Sequence, residues 1–257
     1  MPRPLADEFR AARRDPGLVV VEGFHALKHA LRFGADIEAV VAATDADLDG
    51  LASQLAPELA PQLAVARRVA DLAALVPRPP RTGVVAIARR PLVDSLAVIA
   101  SAGPAPVVML EQPRTMGNLG ACVRVAAAAG AAGLISTGPH DPWHADAVRG
   151  GAGLQFALPV ARLDLGDDEA TRDGLVAAAV AAHRPLVALD PDGAELAPGA
   201  PIPARSVLAF GTERDGLSAE LLARAGARLR LPMEPGVSSL NLATSVAATL
   251  YAWRLAP

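Results

Sequence analysis

Val107-Val-Met-Leu-Glu-Gln-Pro-Arg-Thr-Met-Gly-Asn-Leu-Gly-Ala-Cys-Val-Arg124 is the stretch whose reading decides the fold. It opens with a short apolar run, too brief for a helix, and predicts a buried strand over 107–111. Gly117 and Gly120 then permit a tight turn and close backbone approach. Asn118 stands where a helix N-cap would be, and the apolar run that follows predicts a helix over 118–129. Strand, glycine turn and helix in succession are the repeating unit of open parallel sheets.

The same rhythm extends downstream. Strands are expected at 132–136, 157–160, 186–190, 206–211 and 227–231, and helices at 144–150, 168–182, 217–224 and 238–254. The expected fold class is therefore α/β, a mostly parallel sheet with helices on both faces. Upstream, Ser101-Ala-Gly-Pro-Ala-Pro106 is turn-rich and marks a boundary. Before it, strands are expected at 18–22, 37–43 and 84–88, with helices at 23–33, 47–59 and 70–75. The expected organisation is a small α/β domain over 1–100 and a larger one over 105–257.

Composition narrows the function classes. No run of 18 apolar residues occurs, so no membrane span is expected. The first residues are charged and lack an apolar core, so no signal peptide is expected. Cys122 is the single cysteine, which suits a reducing cytoplasm. The five histidines lack metal-ligand spacing with further Cys or His, so no metal site is predicted. The net charge of −3 is a mild point against nucleic-acid binding, but distribution counts for more than the total. Residues 1–104 carry twelve basic and twelve acidic groups, and Lys28 is the only lysine. Arginine binds phosphate as a bidentate fork, whereas lysine is a point charge.

Three segments begin where a predicted strand ends and run into a helix, the edge at which open parallel sheets bind ligands. The first is the opening stretch, where Arg124 interrupts an apolar helix. It is either a salt-bridged surface residue or a ligand for a phosphate or hydroxyl. The second is Leu208-Ala-Phe-Gly-Thr-Glu-Arg-Asp-Gly-Leu-Ser218, in which Glu213 follows the strand at once. The third is Leu231-Pro-Met-Glu-Pro-Gly-Val-Ser-Ser-Leu-Asn241. There Ser238 or Ser239 can cap a helix whose free N–H groups face a ligand, and Asn241 can both donate and accept. Each segment alone is weak; a solvated acid or a simple cap explains the last two.

Taken in order, Gly-Asn-Leu-Gly-x-x-x-Arg, Gly-Thr-Glu-x-x-Gly-Leu and Leu-Pro-Met…Ser-Leu-Asn resemble the three motifs of the SpoU (TrmH) family of the SPOUT superfamily, over about residues 107–255. Val19-Val-Val-Glu-Gly-Phe-His-Ala-Leu-Lys28 and Thr82-Gly-Val-Val-Ala-Ile87 resemble the small L30e-like substrate-binding domain that many members carry. The resemblance implies an S-adenosyl-L-methionine-dependent RNA methyltransferase acting on a ribose 2′-hydroxyl of tRNA or rRNA. It implies a trefoil knot at about 205–245 and a homodimer with the active site at the subunit interface. Gly211, Leu231, Met233 and Leu240 would contact the cofactor. Arg124 would be the catalytic base, or would anchor the RNA phosphate and stabilise the alkoxide, with Asn118, Glu213, Ser239 and Asn241 orienting it and the ribose. Two departures stand out: many members have Asp-Pro-Gly-Asn where this chain has Thr115-Met-Gly-Asn118, and Arg-Thr where it has Arg124-Val125. An RNA-binding module that keeps the fold without turnover is the alternative. Cys122 reads as core, and Gly150-Gly-Ala-Gly153 follows no strand and is no dinucleotide fingerprint.

Overall fold

The computed structural model describes residues 4–163, 169–197, 202–212 and 214–256. The chain divides into two compact units, Met1–Leu92 with Trp143–Ala157, and Val93–Pro142 with Leu158–Pro257. The first division falls at Leu92 rather than at 101–106. The excursion of 143–157 into the first unit had no counterpart in the expected 1–100 and 105–257.

The first unit runs α1 (Leu5–Ala12), β1 (Leu18–Glu22), α2 (Phe24–Arg32), β2 (Ile37–Ala43), α3 (Leu48–Leu55), α4 (Ala60–Leu63), β3 (Arg67–Val69) and β4 (Val84–Arg89). Its four strands lie in the order β1-β4-β2-β3, with β4 antiparallel to both neighbours and β3 parallel to β2. β1, β2 and β4 lie close to where hydrophobic runs predict them. The helix expected at 70–75 is instead a turn, and β3 and α1 were not foreseen. β3 is three residues of Arg-Arg-Val, too short and polar to show a period.

The 143–157 segment belongs to this unit for identifiable reasons. Gly153, at φ +75°, brings its backbone so close to Ala26 that a Cβ would stand 2.2 Å from the Ala26 carbonyl oxygen. Glu22, at the end of β1, is buried and receives Arg149 Nη1 at 2.8 Å and Arg13 Nη2 at 3.3 Å. Arg149 also pairs with Asp146. A buried carboxylate costs several kcal/mol, about the scale of an ion's effective desolvation penalty, unless such partners surround it. The segment's helix α7 (Ala145–Gly150) is therefore held by charge that only the first unit supplies.

The second unit adds α5 (Ser95–Ile99), β5 (Val107–Leu110), α6 (Met116–Ala129), β6 (Gly133–Thr137), β7 (Val160–Leu163), α8 (Glu169–Ala181), β8 (Leu186–Glu195), β9 (Val207–Phe210), α9 (Ala219–Arg224), β10 (Ala227–Arg230) and α10 (Leu242–Leu255). Its six strands are all parallel, in the order β10-β8-β9-β5-β6-β7. Val107, Met109, Ile135, Ala188, Val207 and Ala209 pack with Val98 and Ile99 of α5, Leu175 and Ala179 of α8 and Leu221 of α9. On the strands' other side α6 packs against β6 and α10. A sheet covered on both faces accounts for the unbroken burial of β5 and β9. β7 begins three residues later than expected, because 154–157 is a 3-10 turn of the excursion. α5 was not foreseen. Arg184 is fully buried and donates to the Ser101 and Ala105 carbonyls at 2.8 Å each, holding the stretch between α5 and β5. Burial, with a further contribution from Arg205, lowers its pKa.

His29 on α2 makes a 2.7 Å hydrogen bond through Nδ1 to the Ala152 carbonyl. Burial outweighs that bond and lowers its pKa below the ordinary imidazole value. The folded state thus binds this proton less readily than the unfolded chain. Its contribution is full above about pH 6.5 and is lost as pH falls towards the folded pKa. Urea midpoints should therefore decline from pH 7.5 to pH 5, and His29→Gln should flatten that slope.

Candidate active site

β9 lies between β8 and β5, and the middle of β8 with the loops leaving the carboxyl ends of β9 and β10 lines an open cavity of about 350 Å³. Three groups line it: Leu189, Asp190 and Pro191 from β8; Phe210 at the end of β9 with Gly211, Thr212, Arg214 and Gly216 after it; and, around the crossing from β10 to α10, Leu229, Arg230, Leu231 and Met233 with Ser238, Ser239, Leu240, Leu242 and Ser245. The residues named from the sequence for a cofactor, Gly211, Leu231, Met233 and Leu240, all line this one cavity, as does Ser239.

The turn after β9 is tightly closed. Thr212 and Gly216 pair across it, N to O at 3.0 and 3.2 Å. A Cβ on Gly211 would stand 2.0 Å from the Gly216 carbonyl carbon, so only glycine fits. Gly216 itself has φ +69°, the left-handed region that glycine adopts freely. Asp215 receives Arg114 Nη2 at 3.2 Å, and its backbone N–H donates to Thr212 Oγ1 at 2.9 Å. Glu111, buried at the end of β5, accepts the Ser218 N–H and hydroxyl, both at 2.7 Å. Glu111 and Arg114 thus tie the first motif's loop to the second motif's turn. The exposed Arg114 pair contributes little to stability by itself, whereas the buried Glu111 would be costly to leave without its donors.

Two capping expectations are corrected. Thr115, not Asn118, caps α6: its Oγ1 accepts the Asn118 N–H at 3.2 Å. Asn241, not Ser238 or Ser239, caps α10, its Oδ1 accepting from Ala243 N at 2.9 Å and Thr244 N at 3.4 Å. The helix therefore begins at Leu242, and 238–241 lie outside helix and strand, with Ser238, Ser239 and Leu240 on the cavity wall. Asn241 Nδ2 donates to Asn118 Oδ1 at 3.1 Å, joining the first motif to the third.

Arg124 is not on the cavity wall. It stands exposed on α6, two turns beyond Gly117 and on the same face, with no ion pair among the described residues. Glu213 lies outside the described residues. Sequence reading passed over Asp190, Arg214 and Ser245 of the wall, and Glu111 and Arg114 behind it. Glu111 carried a signal, an acid ending an otherwise apolar strand. Among the described residues no three His, Cys, Asp or Glu side chains gather as a metal site would require, and no helix is long and apolar enough to cross a membrane.

The fold and cavity define an all-parallel α/β ligand-binding unit with its site at the carboxyl edge of the sheet. The model of the SpoU rRNA Methylase family matches residues 105–251, more than half of the chain, and the chain belongs to that family. It is 31% identical over 175 residues to a 23S rRNA (adenosine(1067)-2′-O)-methyltransferase of Streptomyces laurentii, covering 63% of this chain and 62% of that one. The chain spans about six tenths of the length of the curated relatives it matches. An AdoMet-bound rRNA methyltransferase from Sinorhizobium meliloti superposes with a TM-score of 0.75 at 26% identity, covering 98% of this chain and 94% of that one. The SpoU methyltransferase AviRb from Streptomyces viridochromogenes, in complex with AdoMet, shares the fold at a TM-score of 0.76 and 24% identity, covering 98% of both chains.

Gly211→Ala forces backbone apart. It should lower unfolding free energy by more than about 2 kcal/mol and displace the 212–217 turn, read by urea denaturation and a crystal structure of the variant.

Proposed function

We propose that this chain is an S-adenosyl-L-methionine-dependent RNA methyltransferase that modifies a ribose 2′-hydroxyl of tRNA or rRNA. The observation that carries the reading is one carboxyl-edge cavity walled by the second and third motifs, with the first motif tied to both, Glu111 to Ser218 and Asn118 to Asn241. The cavity volume of 350 Å³ lies within the roughly 300–1,000 Å³ usual for small-molecule sites. Its apolar surfaces, Leu229, Leu231, Leu240 and Leu242, suit a purine, while Ser238, Ser239, Ser245 and Arg214 suit an amino-acid end. The donor set therefore fits an adenosyl amino acid, to be held by Gly211, Leu231, Met233 and Leu240.

Bound there, S-adenosylmethionine supplies an electrophilic methyl group on a sulfonium. The protein's part is to align a ribose hydroxyl with it and to manage one proton. A guanidinium is protonated throughout the physiological range. That favours Arg124 as the group that anchors the RNA phosphate and stabilises charge developing on the 2′-oxygen, over Arg124 as the base. Asn118, Ser239 and Asn241 orient the ribose, and Glu213 belongs to the same proposed set.

The knot at about 205–245 belongs to this reading. β10 forms one edge of the sheet, yet α10 returns to pack on α6. Residues 231–241 must therefore pass back over the ends of β8 and β9, which favours a threaded crossing. A homodimer is supported by exposed apolar groups on and before α10: Leu240, Tyr251 and Leu255, exposed by 40%, 40% and 78%. With Arg124 away from the cavity, a partner subunit completing the site is consistent with that surface. The first unit, read as L30e-like, is proposed to bind the RNA substrate, and the cytoplasm is proposed as the site of action.

The purified full chain, labelled S-adenosylmethionine and total RNA test this directly. Label should enter alkali-resistant dinucleotides, the mark of a 2′-O-methyl group. Arg124→Ala and Arg124→Lys should each lower kcat by about a hundredfold or more while S-adenosylhomocysteine affinity stays within about threefold. RNA binding without transfer by the wild type would make the chain a non-catalytic RNA-binding module instead.

A further inference from the structure

β8 does not pair continuously. Its partners on β10 jump from Ala188 opposite Arg228 to Ala194 opposite Leu229, so 189–193 form a large bulge against an unbroken neighbour. Gly193 closes the bulge: a Cβ there would stand 2.7 Å from the Leu229 nitrogen. Bulges beside active sites re-aim a side chain that a regular strand would send elsewhere. Here Leu189, Asp190 and Pro191 all reach the cavity wall.

Asp190 is the only acidic side chain on that wall among the described residues. Its side chain is 11% exposed. Oδ1 accepts the Asp192 N–H at 3.2 Å, and Oδ2 faces Arg228 Nη1 at 3.5 Å, a long contact on a half-exposed arginine. A carboxylate has about four acceptor positions, so these two contacts leave each oxygen with further acceptor capacity. Held in place by its own turn, the Asp190 carboxylate on this wall offers acceptors and no donor.

We propose that Asp190 is a specificity-determining residue that accepts hydrogen bonds from the vicinal ribose diol of the adenosyl cofactor. This rests on the cofactor reading above. A vicinal diol offers two O–H donors at the spacing of two carboxylate oxygens. An acidic residue at the carboxyl end of a parallel strand is a general solution for a nucleotide ribose. Leu189 and Pro191, its apolar chain neighbours, flank it on the same wall, as a base attached to that ribose requires. The amino-acid end, itself a zwitterion, finds its polar partners on the serine-lined crossing and Arg214.

Isothermal titration of the full chain with S-adenosylhomocysteine and with its 2′-deoxy and 3′-deoxy counterparts reads the proposal without turnover. In the wild type each lost hydroxyl should weaken binding about ten- to a hundredfold, as for hydrogen bonds to a charged group. In Asp190→Ala the ribo and deoxy ligands should bind within about threefold of each other. Asp190→Asn keeps an acceptor for the Asp192 N–H and so preserves the bulge; it should discriminate less than the wild type. A wild type indifferent to the diol, or Asp190 variants that keep its full discrimination, overturns the assignment while leaving the cofactor reading intact. Failure of S-adenosylhomocysteine itself to bind overturns both.

Discussion

Everything at the active edge depends on β9 lying between β5 and β8. Val107 to Leu110 pair with Val207 to Phe210 on one side, and Leu186 to Leu189 pair with the same strand on the other. This puts the turn that follows Phe210 at the centre of the sheet's carboxyl edge rather than at its margin. From there it can meet the loop after β5 through Glu111 and Arg114, and the bulge of β8 through the cavity. Were β9 at an edge, the first and second motifs could not be bolted together by one buried carboxylate.

That central turn is built for rigidity. Gly211 and Gly216 touch backbone to backbone, Thr212 and Asp215 close the ring, and Ser218 is gripped by Glu111. A wall that does not move can hold a ligand without first ordering itself, which conserves affinity. Arg124 sits differently, exposed on α6, the helix that packs against α10.

Much of this was legible in the residues. Strands 107–110, 133–137 and 207–210 are buried apolar runs bounded by turns, and their reading as a parallel sheet depends only on the intervening helices. Gly211, Leu231, Met233 and Leu240 were named by the resemblance alone, and they fall on one cavity wall at the shared carboxyl edge. What escaped was of a different kind. The excursion of 143–157 depends on Glu22 and Ala26, more than a hundred residues away, and local pattern carries no trace of such a contact. Thr115 and Asn241 displaced better-placed candidates as caps, because Ser, Thr and Asn compete for that role over a few positions. Asp190 was invisible because a bulge is a pairing event: which residue it expels depends on where β10 resumes its register. Arg124 was marked by interrupting an apolar run, and its role, like the second subunit, came from the resemblance; its place off the cavity wall could not be read locally.

The most direct measurement is a crystal structure of the full chain with S-adenosylhomocysteine. The account predicts the nucleoside between the β8 bulge and the 211–216 turn, its ring against Leu231 and Leu240 and its sulfur facing the Asn118–Asn241 pair. Density for the ligand at any other surface, or an empty cavity under saturating ligand, would contradict it.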